Sequence, residues 1–259
     1  MKSNIQLRSC LGLAALALAV LVLPAGRVQA QEPAEGHAGL PADVDPVSRN
    51  RLPVPDRAQM SPPDQQIFDT VMGTQQTGLS ALGKERPQVR MTSPGVTKGL
   101  EEAHHYLKYD AAIDDRLMAV AVMATARELV SQYEWTQWEQ HARDPKDPRY
   151  VEPYVIDTIK YCKSVTGLGE KDAAVIKLAR EMFGPRKVSP ETFAAVLKQF
   201  GPRKTVDLEE LMALYGSTAD ELVVFDQQLN PGQAPLLPKN AVPCGPAGPN
   251  FSWVPDVLR

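Results

Sequence analysis

The stretch Ala126-Arg127-Glu128-Leu129-Val130-Ser131-Gln132-Tyr133-Glu134-Trp135-Thr136-Gln137-Trp138-Glu139-Gln140-His141-Ala142 concentrates the side chains able to do chemistry: carboxylates, a histidine, a tyrosine and two of the three tryptophans. Read as one helix, it places Glu134, Trp138 and His141 at i, i+4 and i+7, on a single face. A carboxylate and an imidazole that bracket an indole make either an acid/base site or an ordinary helix edge. Glu134, flanked by Tyr133 and Trp135, would be partly desolvated, which suits a general acid or base. Its competing reading is a helix carboxylate paired with an arginine or lysine. His141 is the second catalytic candidate, against a surface histidine favoured by the helix C-terminus. Arg127 is a candidate fork for a substrate carboxylate, against a salt bridge on its own helix. Tyr133, Trp135 and Trp138 are the candidate substrate-binding residues, although a residue such as Trp138 is more often there for packing.

The elements that must position these side chains read as helices. Ser61-Pro62-Pro63-Asp64 opens the first: a serine N-cap, proline at N1 and an acid in the first turn. A second is expected from about 96 to 109. A third runs from about 114 to 142, and its half from Leu117 to Ala126 is apolar nearly all round, the pattern of a buried central helix. Further helices are expected at about 152–163, 170–183, 190–200 and 206–228. Ser189-Pro190-Glu191 starts one of them, and Gly184-Pro185 and Gly201-Pro202 act as stops. No segment alternates as a strand would. The fold class is therefore all-α, with one helical domain at 61–230, after an extended segment at 31–60 and before a Pro- and Gly-rich tail at 231–259. That tail should wrap the surface or a neighbouring subunit.

Residues 1–30 read as a secretory signal peptide. Lys2 and Arg8 precede an apolar run from Leu11 to Leu23, Pro24-Ala25-Gly26 breaks it, and Val28-Gln29-Ala30 offers a cleavage site. The run is shorter than the ~20 residues of a spanning helix, so no stable membrane anchor is expected after cleavage and the protein should be periplasmic or secreted. Loss of Lys2, Arg8 and Arg27, with no acidic residue, moves the formal net charge from −3 to −6. That argues against a nucleic-acid partner, which needs a basic face. Cys162 and Cys244 remain, either as a disulfide that staples the tail to the body or as two unpaired thiols. Glu101 and His105 have a metal-compatible i, i+4 spacing, but two ligands are too few. Neither a metal nor another cofactor is expected. His104 and His105 point about 100° apart, so at most one enters a shared pocket. Met118, Met123 and Met182 read as core filler.

Tyr133-Glu134-Trp135, preceded by Arg127-Glu128-Leu129, resembles the carboxymuconolactone decarboxylase family, related to the alkylhydroperoxidase D-like (AhpD-like) proteins. Arg51-Leu52-Pro53 with Asp56, Gly167-Leu168-Gly169-Glu170-Lys171-Asp172, Val188-Ser189-Pro190-Glu191-Thr192-Phe193, and Val206-Asp207-Leu208 leading to Tyr215 extend the resemblance over roughly residues 51 to 232. It implies an AhpD-like helical bundle in a homo-oligomer, commonly a trimer or hexamer. Redox members of the family carry Cys-x-x-Cys on the central helix. Ser131 and Glu134 stand there in this chain, so thiol peroxidase chemistry is not expected. Non-redox members place a histidine three residues after the tryptophan and a glutamate fifteen before Glu134. Here those positions hold Trp138 and Ala119, and Glu134 is the one polar position carried over.

Two functions follow as expectations. The first is a carboxymuconolactone decarboxylase-like enzyme acting on a small organic acid or lactone, with Glu134 as proton donor and Arg127 as carboxylate anchor. Trp135 and Trp138 would form the apolar walls. The second is an exported helical binding or scaffold protein that retains the fold without catalysis.

Overall fold

The computed structural model describes residues 39–73 and 88–245. The expected leader, and Phe251 and Trp253 of the tail, lie outside them. Among the described residues the regular structure is helical: α1 (Pro62–Gly73), α2 (Pro94–His105), α3 (Asp115–Glu128), α4 (Gln132–Ala142), α5 (Pro153–Lys160), α6 (Glu170–Phe183) and α7 (Pro190–Val224). Short 3-10 turns occupy Arg57–Gln59 and Gln88–Thr92, and a π-helical turn, Tyr106–Asp110, continues α2. No described helix is long and apolar enough to cross a membrane.

Local chemistry sets the helix starts. The hydroxyl of Ser61 accepts the Asp64 N–H at 3.3 Å ahead of Pro62, and that of Ser189 accepts the Thr192 N–H at 3.2 Å ahead of Pro190. Asp114 caps α3 through the Leu117 N–H at 2.8 Å. Each satisfies a donor that the first helical turn leaves without an intrahelical acceptor. The apolar-all-round half of α3 is the centre of the core, with every residue from Leu117 to Glu128 buried. α4, α5, α6 and α7 pack around it.

One of the expected boundaries is corrected. The single helix from 114 to 142 is two, because Val130 takes a left-handed backbone (φ 54°) between α3 and α4. There the Val130 N–H reaches Arg127 O at 3.3 Å and the Ser131 N–H reaches Ala126 O at 2.8 Å, which is the Schellman pattern. The same pair of bonds ends α5 at Cys162 (φ 53°) and α7 at Asp226 (φ 47°). In each case a non-glycine residue holds the position that glycine most often fills. Gly201-Pro202 interrupts the helix as expected: Gly201 is non-helical (φ 71°, ψ 173°), and Pro190–Val224 is two helices that meet at a kink there. A proline lacks the amide that would bond back one turn, so a kink there is the expected compromise.

The segment before α1 is less loose than its composition suggests. Asn50 is fully buried, the Arg51 N–H bonds Phe225 O at 2.8 Å, and Arg49 donates to Leu229 O, which ties 49–52 to the turn that follows α7. The tail from Asn230 to Gly245 lies along α4 and the end of α5 of its own chain.

Candidate functional site

The break at Val130 aims α4 separately from α3, and α4 then presents two buried faces. On one, the Trp135 indole donates to Glu139 one turn on, and Glu139 also receives Arg143 Nε at 2.8 Å and Lys160 Nζ of α5 at 3.0 Å. Trp135 and Glu139 are both essentially inaccessible. This face is a structural pin. Glu139 was not among the sequence candidates, although its i, i+4 spacing from both Trp135 and Arg143 is a readable signal.

The other face carries Glu134 and, one turn later, Trp138. Glu134 is 1 % exposed and Tyr133 beside it 4 %. The Trp138 ring meets Tyr215 of α7 edge-on, with centroids 5.5 Å apart. Tyr215 in turn meets His104 of α2: the phenol oxygen lies 3.4 Å from His104 Nε2, and the rings are T-shaped at 6.1 Å. His104 is 9 % exposed. Three helices thus bring an imidazole, a phenol and an indole together, one turn from a buried carboxylate. Imidazole and phenol can each donate or accept a proton, and the aromatic walls lower the local dielectric.

His141 is not part of this group. It sits at the exposed C-terminal end of α4, with Nδ1 3.0 Å from Asp147 and 2.8 Å from Arg149. Hydrogen bonds from Arg149 hold the Asp147 carboxyl well below the usual range. The Arg149 guanidinium also lies 5.8 Å over the Trp138 ring, so this trio forms a rim, not a site interior. Arg127 points elsewhere too. It donates to the carbonyls of Lys160 at 2.9 Å and Val242 at 2.7 Å. Its Nε and Nη1 are thus committed to the end of α5 and to the tail.

A second buried charge group surrounds Arg127. Glu128, 2 % exposed, accepts the Gly245 N–H at 3.1 Å, and Arg180 of α6 donates to the carbonyls of Thr158 and Lys163. Burial pushes the Glu128 carboxyl up to about 7, against the opposing pull of the Gly245 amide, Arg180 and Arg127. A carboxyl that binds its proton more tightly folded than unfolded adds stability that is fully present below its unfolded value near 4.5. That stability is lost as the pH rises through 7. Glu128→Gln should remove a slope worth about 3 kcal/mol between pH 4.5 and 7. Urea denaturation of both proteins at pH 5 and pH 8 checks this, and parallel pH dependences would refute it.

Cys162 and Cys244 form a disulfide, which settles the alternatives left open by the sequence. Its sulfurs lie far along the chain from Ser131, where the family's redox pair would begin. Between α1 and α2 a cleft of about 390 Å³ is lined by Gln66, Ile67, Thr70, Val71, Lys98 and Glu101. His104 is one turn past Glu101 on α2. Among the described residues no group of three or more histidine, cysteine or acidic side chains is placed to hold a metal ion. His105 approaches Asp110 at 3.6 Å instead.

His104 and Tyr215 are the site members that sequence reasoning missed. His104 was weighed only as one of two adjacent histidines of which at most one enters a pocket, and Tyr215 entered only as part of the resemblance.

No protein-family model matches the chain, and no curated protein matches it. Solved structures do. The debrominase Bmp8, in its apo form, is similar with a TM-score of 0.52 at 13% identity, over 66% of this chain and 90% of its own. A protein of unknown function from Agrobacterium tumefaciens, described as a putative antioxidant defence protein AhpD, gives a TM-score of 0.48 at 10% identity, over 54% and 94%. The alkylhydroperoxidase AhpD core of an uncharacterized peroxidase-related protein from Ralstonia eutropha JMP134 gives 0.46 at 16%, over 73% and 98%. The likeness to Bmp8 shows the fold alone. That fold is all-helical, as the sequence resemblance implies.

Proposed function

We propose that this AhpD-like chain is a carboxymuconolactone decarboxylase-like enzyme that acts on a small organic acid or lactone by acid/base chemistry. The observation that carries the reading is the contact of His104 with Tyr215 beside Trp138, one helical turn from the buried carboxylate of Glu134. Loss of CO2 breaks a carbon–carbon bond and leaves its electron pair on the adjacent carbon, conjugated with the lactone carbonyl. A neighbouring acid must then deliver a proton to that carbon. Glu134 is the proposed donor, and His104 with Tyr215 the proposed relay that returns a proton to it. Trp138 supplies an apolar wall. Arg127 is assigned no part in this proposal, since its Nε and Nη1 are held by backbone carbonyls. The leader and the disulfide support work outside the cytoplasm, and the family resemblance supports a homo-oligomer.

A second reading rests on Trp138 itself. It stands where the family's histidine is expected and packs against Tyr215, as it would in a binding protein that has lost catalysis. One experiment separates the two. Purified protein is incubated with a panel of lactones and keto acids, following CO2 release and ligand-induced change in Tm, with a peroxide-reduction arm. Turnover of an acid or lactone supports the enzyme. A Tm rise without turnover supports the binder. Peroxide turnover lost in a Cys162→Ser, Cys244→Ser double mutant would overturn the non-redox assignment.

A further inference from the structure

We propose that residues 233–245 form a strap that clasps α4, and that the Cys162–Cys244 disulfide is its redox-sensitive latch. The strap covers the outward face of α4 made by Gln132, Thr136, Gln137 and Gln140. Gln233 accepts from the Gln137 amide at 2.8 Å and donates to Gln137 at 3.4 Å and to Gln140 at 3.3 Å. The Leu236 N–H donates to the Thr136 hydroxyl at 3.2 Å. With its amide oxygen turned to the strap, Gln132 accepts the N–H groups of Leu236 and Leu237 at 2.8 and 3.0 Å. Leu237 is buried against the core.

The far end of the strap is fixed to the elements on either side of α4. Val242 O accepts from Arg127 at the end of α3, the Gly245 N–H donates to Glu128, and Cys244 is bonded to Cys162 just past α5. α4 is short, and its other faces are packed by helices. The strap lies against Thr136, which is fully buried.

Individually the polar strap contacts are each worth about 1 kcal/mol. The covalent bond is the strongest of the restraints, because it ties positions 82 apart in sequence. The switching reaction is thiol–disulfide exchange with a dithiol. One thiolate of the dithiol attacks a protein sulfur, the S–S bond breaks, and the other cysteine leaves as a thiolate that takes a proton. The second thiol of the dithiol then displaces the mixed disulfide. The dithiol is oxidised to a disulfide, and Cys162 and Cys244 are reduced to two thiols. Cys162 and Cys244 are 4 % and 2 % exposed, so the attack follows opening of the strap. The proposal concerns the order of α4 and does not rest on the chemistry proposed for the site.

The test is hydrogen exchange of the full chain, oxidised and after dithiothreitol, with alkylation to count free thiols. Once two thiols are free, amides of 132–142 should exchange at least ~10-fold faster while those of 170–183 keep their protection. Gln233→Ala, with the disulfide intact, should raise the rate of reduction several-fold by loosening the strap. Unchanged protection of 132–142 in the reduced protein would overturn the proposal. So would cysteines that resist dithiothreitol until the whole protein unfolds, or a reduction rate indifferent to Gln233→Ala.

Discussion

Glu134→Gln should lower any acid/base activity of this protein by about 100- to 10,000-fold, the usual cost of losing a positioned general acid. His141→Gln should leave most of it. Glutamine keeps the shape of the side chain and its capacity to hydrogen-bond but cannot deliver the proton. Glu134 is buried on the α4 face that carries Trp138, which meets Tyr215 and through it His104. His141 lies in water at the end of the same helix, with Asp147 and Arg149 as partners. Rates for the two variants on one substrate, with circular dichroism to establish folding, give the comparison. A large loss from His141→Gln and little from Glu134→Gln would move the acid about two helical turns along and refute the assignment. Retention of activity by both folded variants would favour the binding-protein reading.

Glu139→Ala should destabilise the fold by about 3–5 kcal/mol, the cost of breaking a buried ion pair from one side. The change removes the acceptor of the Trp135 indole and strands Lys160, whose side chain is 12% exposed in a setting built around that carboxylate. Arg143 is better solvated and should contribute less. The double change Glu139→Leu, Lys160→Met removes both charges and should recover part of the loss, since paired apolar replacements avoid the stranded cation. Urea denaturation of the three proteins measures both effects. A cost under about 1 kcal/mol for Glu139→Ala would mean that the pair behaves as a surface bridge.

Helix starts were legible wherever a capping serine or aspartate met a proline or an acid, as at Ser61 and Ser189. The buried character of α3 was legible because apolar residues recur on all its sides. Its end was not. The reading relied on glycine and proline as stops, and α3 stops on Val130, a β-branched residue that ordinarily avoids a left-handed backbone. That one position also changes what the site stretch means. In an unbroken helix Arg127, Glu134 and Trp138 would share a face at i, i+7 and i+11. The break sends Arg127 to the carbonyls of Lys160 and Val242 while Trp138 goes to Tyr215. The neighbourhood of Glu134 and Trp138 survived because both lie inside α4. His104 and Tyr215 stand 111 residues apart, so their meeting depends on how α2 and α7 pack, which no local pattern encodes. The role of Arg127 was hidden for the same reason, as one of its acceptors comes from the tail.

The non-glycine helix endings also bear on how this fold could be made to withstand heat. Val130, Cys162 and Asp226 occupy left-handed positions in which a Cβ is strained by about 1–2 kcal/mol. Cys162 is committed to its disulfide, but the other two are open to substitution. Val130 is the better target, because a β-branched side chain is the least tolerant of that conformation. Val130→Gly relieves the strain, and the greater freedom of glycine in the unfolded chain offsets part of the gain, about 0.5–1 kcal/mol. The remainder corresponds to a Tm higher by about 2–4 °C per kcal/mol for a domain of this size. Calorimetry of Val130→Gly would show it, and a lowered Tm would mean that the valine's packing outweighs its strain. Selection for thermal tolerance would then have its first foothold at the junction that aims α4.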